Sequence, residues 1–479
     1  METLKEKTAR GLFWGGMNNG VQQLIGLLAG ILLARFLSPD DYGMIAMITI
    51  FSVVAIELQS SGFKTALTNL ENPTPRDFNS VFWFNIVVSL GLYVILFFSA
   101  PLIANFYNEP RLVPLCRYAF LGFFISSFSL AQSAWLFKNL RTRQQAKAGM
   151  TAIIVSNLTG VLMAWQGYAY WAIATQTNVY ILVNTLMLWH YSPWRPTLSW
   201  DAEPVRRMFR FSVKIMASAI LTQVNNNILN ILLGRYYSAH QTGQYNQAYQ
   251  WNYKASYTLQ GMVQTVAQPV FVDLKSDSER QLRALRKLIR FTAFVSFPLL
   301  LGFSLVAKEF IVLAITAKWL TSAGYLQVLC MAGAVAPLSL VLSNLVISRG
   351  RSDIYMWSTL ALGLCEIVVM LLLVPYGVSR MVIAFTLLNV VWLFVWHYFV
   401  RRLTGYSLSM LLADVLPFAL TAAAVMLFTG WITSGLQSLW LLLIVRVVVA
   451  ALLFIGIMRL AHAAILDECI QFIRRKKNP

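Results

Sequence analysis

Lys214, Ser218, Thr222 and Asn225 recur at offsets of four, four and three residues inside one long apolar segment. That spacing gathers an ammonium, two hydroxyls and an amide on a single helix face. Asn226 and Asn227 widen the stripe. An earlier segment carries Asn18 and Gln22 one turn apart, flanked by Asn19 and Gln23. A third places Tyr245, Tyr249, Tyr253 and Tyr257 on successive turns, follows them with Gln260, Gln264 and Gln268, and adds Lys254 beside them. Two ammonium groups, Lys214 and Lys254, suit a phosphate or pyrophosphate. Tyrosine rings next to amides, Tyr249 and Tyr253 above all, can stack on sugar rings and hydrogen-bond their hydroxyls. A second reading stands beside each of these. Asn and Gln in apolar helices often bond neighbouring helices with no ligand present, tyrosine hydroxyls do the same, and either lysine can pair with Glu57 or Glu366.

Those two carboxylates have their own chemistry. A desolvated carboxylate has a raised pKa and can load and release a proton, so Glu57 and Glu366 are candidates for proton or ion coupling or, alternatively, members of static ion pairs. Arg446 also falls within an apolar segment, facing lipid or a neighbouring helix, while Arg35 and Arg235 sit at segment ends, where snorkelling explains them. The four histidines and four cysteines lack metal-ligand spacing, so neither a metal site nor a cofactor is expected.

The segments that must position these groups are membrane spans. The chain is 58% hydrophobic and only 12% charged, and its apolar runs reach the roughly 20 residues that cross a bilayer. Spans are expected near 11–34, 43–63, 79–100, 114–137, 150–166, 169–189, 209–233, 244–271, 290–307, 323–347, 354–374, 381–400, 409–429 and 438–460. The fold class is therefore an all-α polytopic membrane protein with about 14 transmembrane helices.

Basic residues set the orientation, since cytoplasmic loops hold excess Lys and Arg. One set of loops carries Lys138, Arg141, Arg143 and Lys147, the Lys275–Arg290 cluster and the Arg474–Lys477 tail, whereas the opposite set offers only Arg35, Arg111, Arg117, Arg235, Lys308, Lys318 and Arg380. Both termini are placed in the cytoplasm. The net charge of +19 then reflects topology and attraction to anionic lipid, and no nucleic-acid partner is implied. Arg283, Arg286, Lys287 and Arg290 recur at helical spacing, which predicts a short surface helix with its cations at the headgroups. The largest external loops, Pro101–Val113 and Lys308–Ser322, are too short to hold a catalytic domain, which argues against a membrane glycan polymerase or ligase.

An internal repeat organises the spans. Ile31–Ala46 (ILLARFLSPDDYGMIA) matches Ile231–Asn246 (ILLGRYYSAHQTGQYN) at six positions, among them Arg35/Arg235, Ser38/Ser238 and Gly43/Gly243. Each copy follows a helix running from cytoplasm to outside, so the halves share one orientation and a pseudo-twofold axis along the membrane normal, an arrangement of transporters. Pro193, Pro196 and Pro204 mark a link between them. The expected division is a lobe over 1–189, a cytoplasmic linker over 190–210, a second lobe over 211–400, and two more spans with a basic tail over 401–479.

LKEKTARGLFW (Leu4–Trp14), the ILLARFLSPDDYG hairpin, VFWFNIV (Val81–Val87), GQYNQAYQ (Gly243–Gln250), FPLLLGFSLVA (Phe297–Ala307) and AKWLTSAGYLQVLCMAG (Ala317–Gly333) together resemble the polysaccharide-exporter branch of the multidrug/oligosaccharidyl-lipid/polysaccharide flippase superfamily, and among its members the colanic-acid-type and teichuronic-acid-type exporters. The resemblance implies two six-helix lobes around a lumen with two extra C-terminal helices, in a bacterial inner membrane. It implies flipping of an undecaprenyl-pyrophosphate-linked oligosaccharide repeat unit by alternating access, for lipopolysaccharide, capsule or exopolysaccharide assembly. Partners would be that polyprenyl-pyrophosphate-linked glycan, membrane lipids and the polysaccharide polymerase and chain-length machinery. It implies no fixed catalytic motif. A drug/cation antiporter of the same fold is the alternative, but it would favour an acidic cavity, against the excess of Lys here.

Overall fold

Cα–Cβ bonds that have nowhere to go define the centre of the first half of the molecule. In the computed structural model, which describes residues 4–60, 62–71, 73–461 and 465–466, the helices α1 (Leu4–Phe36) and α2 (Pro39–Ser60) form the first copy of the repeat. Side chains of residues 4–19, 210–212, 214 and 215 lie outside the described set. That set-aside group includes the candidates Asn18 and Lys214.

The chain continues through α3 (Phe63–Asn69), α4 (Pro75–Tyr107), α5 (Leu112–Ala119), α6 (Leu121–Ser127), α7 (Leu130–Lys138), α8 (Thr142–Trp165) and α9 (Tyr170–Tyr191). The second copy of the repeat is α10 (Ala202–Tyr236) with α11 (Ala239–Asp273). Then come α12 (Ser278–Leu305), α13 (Ala307–Ile315), α14 (Leu320–Ser348), α15 (Ser352–Leu373), α16 (Val378–Thr404), α17 (Leu408–Ile432) and α18 (Leu439–Leu460). No strand occurs among the described residues. This is an all-α polytopic membrane fold.

Each expected span coincides with helix. Among the described residues nine helices are long and apolar enough to cross a membrane on composition alone, and a tenth span is bent. Of the remainder, α1 contributes the apolar stretch Gly20–Phe36 among its described residues, and α9, α10 and α11 are rich in Asn, Gln, Thr and Tyr. The expected single span 114–137 is instead the series α5, α6 and α7, with a 41° bend before α7. Serine causes the break. The hydroxyls of Ser126, Ser127 and Ser129 donate to the carbonyls of Phe123 (2.6 Å), Phe124 (2.7 Å) and Ser126 (3.0 Å), a back-bonding that competes with the helix ladder.

Both expected external loops are also largely helical. α4 runs through Pro101 to Tyr107. Proline leaves the carbonyl four residues back without its donor, and Arg117 fills the gap: its Nε donates to the Phe97 carbonyl at 3.4 Å while the guanidinium lies 4.4 Å from the Phe97 ring centre. Asn108 then closes the helix in the left-handed region (φ 54°), as Asn tolerates. Beyond it Arg111 grips both carboxylate oxygens of Glu109 at 2.8 Å and holds that carboxyl below its usual range. In the second supposed loop, α13 and a 3-10 turn at Ala317–Trp319 occupy the chain.

The protein packs as two compact units, Met1–Gly243 and Gln244–Pro479. Packing groups α10 with the first unit. Side chains explain the tie. Arg207 pairs with Asp77 of α4 at 2.6 Å, Arg76 of α4 pairs with Asp201 at 2.9 Å, and Gln223 reaches Glu57 of α2 at 3.3 Å. The segment before α10 is clipped to α4 as well: the Thr197 N–H donates to Asn79 (2.8 Å) and the Trp83 indole donates to the Thr197 carbonyl (2.6 Å). Within the second unit α14 is the enclosed element, with 72% of its apolar window buried, including Leu326, Leu338, Val341 and Leu342.

The repeated hairpins meet each other inside the first unit. A Cβ on Gly43 would lie 1.8 Å from the carbonyl oxygen of Ala239, and one on Gly243 would lie 1.7 Å from that of Pro39. The contact is reciprocal at an offset of 200 residues, and Asp40 pairs with its own repeat partner His240 at 3.0 Å. Only hydrogen fits at either glycine. Gly43→Ala or Gly243→Ala should therefore push the hairpins apart. Thiol cross-linking of an Asp40→Cys/His240→Cys pair should fall by about tenfold in either alanine background, a shift of ~1.4 kcal/mol in the closed population. Unchanged cross-linking would show that the crossing has slack the geometry denies.

Candidate functional site

In the first unit the candidate side chains are arranged around α10. Ser218, Thr222 and Asn225 are each half-buried along one face. The Thr222 hydroxyl donates to the Ser218 carbonyl at 3.0 Å, so it is partly spent on its own helix. Beside them Glu57 accepts from the Gln223 amide. Glu57 is thus bonded to a neutral group on the repeated helix. Gln22 of α1 lies over Gly149 of α8, its Nε2 within 2.9 Å of where a Cβ would stand. That position serves close packing of α1 on α8.

In the second unit α11 has two unlike faces. Ala248, Trp251, Asn252, Leu259, Val263 and Ala267 are buried, and the helix is joined to α14 where Gln244 accepts from the Ser322 N–H at 3.1 Å. The other face carries the tyrosines, whose rings follow one another at 5.9, 6.4 and 5.4 Å between centres. Exposure rises along the row. Tyr245 is 1% exposed, Tyr249 half-buried, Tyr253 45% and Tyr257 47% exposed. A half-open row of phenols and amides is poorly matched to lipid tails, because unmet hydrogen-bonding groups are costly there.

Lys254 is half-buried. Its ammonium stands 4.8 Å from the ring centre of Trp251, a cation–π contact, and among the described residues no carboxylate pairs with it. The alternative of neutralisation by Glu366 is not what the side chains do. Glu366 is 2% exposed and accepts from Asn389 of α16 at 3.1 Å through one oxygen. Its other oxygen has no hydrogen-bond partner among the described residues, and neither has the buried hydroxyl of Thr386, one turn before Asn389.

Two other membrane carboxylates are held in ion pairs. Asp414 of α17, fully buried, accepts from Arg286 at 2.9 and 3.0 Å, from Arg290 at 2.5 Å and from the Tyr406 hydroxyl at 3.1 Å. Sequence reasoning passed over Asp414, and it read Arg283–Arg290 as a separate surface helix. The structure corrects both points: the basic stretch is the first half of the continuous α12, and two of its arginines turn inward to a buried carboxylate. The available signal was an acid within an apolar span, which needs a partner. Arg446 of α18 is likewise bound to Glu309 (2.8 Å), Thr433 (3.0 Å) and the Leu305 carbonyl (3.2 Å). Arg235 donates to the Phe106 carbonyl at 2.6 Å and anchors its hairpin.

Residues 32–324 match the family described as polysaccharide biosynthesis protein. That match covers more than half of the sequence. The chain belongs to this family. It is 24% identical to the lipopolysaccharide biosynthesis protein WzxC of Escherichia coli, over 74% of this chain and 72% of that protein. It is 24% identical to the teichuronic acid biosynthesis protein TuaB of Bacillus subtilis, over 88% of each. A further family relative, the succinoglycan biosynthesis transport protein ExoT of Rhizobium meliloti, is 24% identical over 60% of this chain and 58% of its own. In fold the chain is similar to the lipid II flippase MurJ in an inward closed conformation, with a TM-score of 0.72 at 14% identity over 94% and 99% of the two chains. It also resembles an inward-facing multidrug resistance MATE transporter, with a TM-score of 0.65 at 14% identity over 80% and 94%.

The Asp414 cluster gives a stability prediction for this family member. Removing one partner of a fully buried ion pair costs about 3–5 kcal/mol. Arg286 and Arg290 are 32% and 43% exposed, so screening lowers the expectation to about 2–3 kcal/mol for Asp414→Asn. Thermal unfolding in detergent should show the loss, and an unaltered midpoint would mean that the cluster does not hold α12 to α17.

Proposed function

We propose that this protein moves a polyprenyl-pyrophosphate-linked oligosaccharide repeat unit across the inner membrane of a bacterium for surface polysaccharide assembly. No covalent bond is made or broken. The observation that carries this reading is the open face of α11, a row of tyrosines and amides with an ammonium that no carboxylate pairs with among the described residues, on a chain of the polysaccharide biosynthesis family. A membrane helix keeps such a face only where water or a polar ligand meets it.

In this reading Lys214 and Lys254 hold the pyrophosphate, as charge-assisted donors suit it. Ser218, Thr222, Asn225, Asn18 and Gln22 offer hydrogen bonds, and Tyr249 and Tyr253 meet the glycan. The polyprenyl tail stays in lipid. The hairpin crossing at Gly43 and Gly243 is one closed end of an alternating-access cycle, whose two states the cargo biases by binding them unequally. Both termini lie in the cytoplasm, and the polymerase and chain-length machinery receive the flipped unit outside. Glu57 and Glu366 couple the cycle to protons or another small cation, Glu366 through its unbonded oxygen.

Deleting the gene should make a lipid-linked sugar intermediate accumulate on the cytoplasmic leaflet, and absence of any such intermediate would overturn the reading. Lys214→Glu should lower transport of the lipid-linked unit at least tenfold, the equivalent of ~1.4 kcal/mol at the anion. Undiminished transport would remove Lys214 from the anion's ligands. For coupling, Glu366→Gln and Glu57→Gln should abolish the acceleration produced by an imposed pH gradient. Wild-type acceleration in both variants would exclude the two carboxylates as the proton carriers.

A further inference from the structure

We infer that the tyrosine row of α11 is a carbohydrate rail, on which the sugars next to the pyrophosphate are held by ring-face stacking at Tyr253 and Tyr257. This deepens the proposed function and rests on it. The four rings stand one above another on successive turns, with Tyr249 and Tyr253 only 15° from parallel. Their spacing of 5.4–6.4 Å is close to the length of one pyranose residue. Successive sugars can therefore meet successive rings. Each phenol is wide, rigid and amphipathic, so it offers an apolar face and a polar rim at small entropic cost.

The row has a direction. Tyr245 is covered and Tyr249 half-buried, whereas nearly half of Tyr253 and Tyr257 is open. Lys254 follows Tyr253 and lies one turn before Tyr257, an i, i+3 neighbour on the helix surface. Its ammonium stands over the Trp251 ring. A pyrophosphate at Lys254 thus brings its first sugars to Tyr253 and Tyr257. Past the aromatic rungs, Gln260 and Gln264 continue the face with amides, Gln264 already accepting from Asn344 at 3.4 Å. Stacking reads the presence of a ring face and not the placement of each hydroxyl, so the open rungs give affinity for sugars as a class.

The test uses the full-length protein in lipid nanodiscs and two probes. One is a short-chain polyprenyl pyrophosphate bearing a neutral trisaccharide, and the other is the same prenyl pyrophosphate without sugar. Wild type should bind the glycosylated probe more tightly. Tyr253→Ala and Tyr257→Ala should each weaken that probe by about tenfold, on the scale of one aromatic stacking contact, and leave the sugar-free probe unchanged. Tyr253→Phe and Tyr257→Phe keep the ring and should bind both probes like wild type. Equal losses on the two probes, losses in the Phe variants as large as in the Ala variants, or no loss at all would each overturn the rail. Wild-type binding of both probes with one affinity would overturn the rail while leaving the proposed function standing. Wild-type binding of neither would overturn both.

Discussion

The crossing of Gly43 and Gly243 is the constraint from which the rest of the first unit follows. Two hairpins with six matched positions approach until the backbone carbonyls of Pro39 and Ala239 occupy the space of a methyl group. Contact that close fixes register, because a shift by one residue would bring a side chain into the gap. α2 and α10 remain near enough for Gln223 to bond Glu57, and the Asp77–Arg207 pair ties α10 again at its far end. A long polar helix is thereby held in place without an apolar seam along its whole length.

Membrane charges in this chain fall into two classes, and the difference is physical. Asp414 has four donors and locks neighbouring helices together; removing it from water is tolerable because its capacity is filled. Glu309 has Arg446 on one oxygen, while among the described residues its other oxygen, one oxygen of Glu366 and the buried Tyr245 hydroxyl have no hydrogen-bond partner. Lys254 has an aromatic face in place of a carboxylate. Groups with unfilled capacity are where a moving ligand can bind without first breaking a salt bridge. The filled Asp414 cluster serves the scaffold, and Lys254 stands on α11 with no carboxylate partner among the described residues.

What the sequence made legible was periodic or duplicated. The helical class, the spans and the repeat depend on local hydropathy and identity, so Ile31–Ala46 and Ile231–Asn246 announced themselves. The tyrosine row was legible for the same reason: a four-residue spacing is a helix face. Features set by long-range partners were not. Nothing local to Arg286 or Arg290 points to Asp414 more than a hundred residues away, so headgroup exposure was the default for both. The break before α7 arises from serine hydroxyls choosing their own backbone, a competition that hydropathy does not register. Pro101 shows the converse case. A helix breaker was read as a loop, yet Arg117 repairs the missing bond and α4 runs on.

The residues proposed to meet the glycan differ from the scaffold in what they would demand of a ligand. A site built from buried hydrogen-bond donors and acceptors rejects an analogue that leaves one of them unpaired, because the orphaned group has lost water and gained nothing. The α11 face is not built that way. Its outer tyrosines are nearly half exposed, so under the proposed function a sugar that misses one hydroxyl contact there leaves no deeply buried group stranded. Discrimination among sugars on such a face would be shallow. The demanding contact in that reading is the anion at the Lys254 ammonium, which stands over Trp251. A carrier built so would select the charged linkage of its cargo and be permissive toward the sugars beyond it.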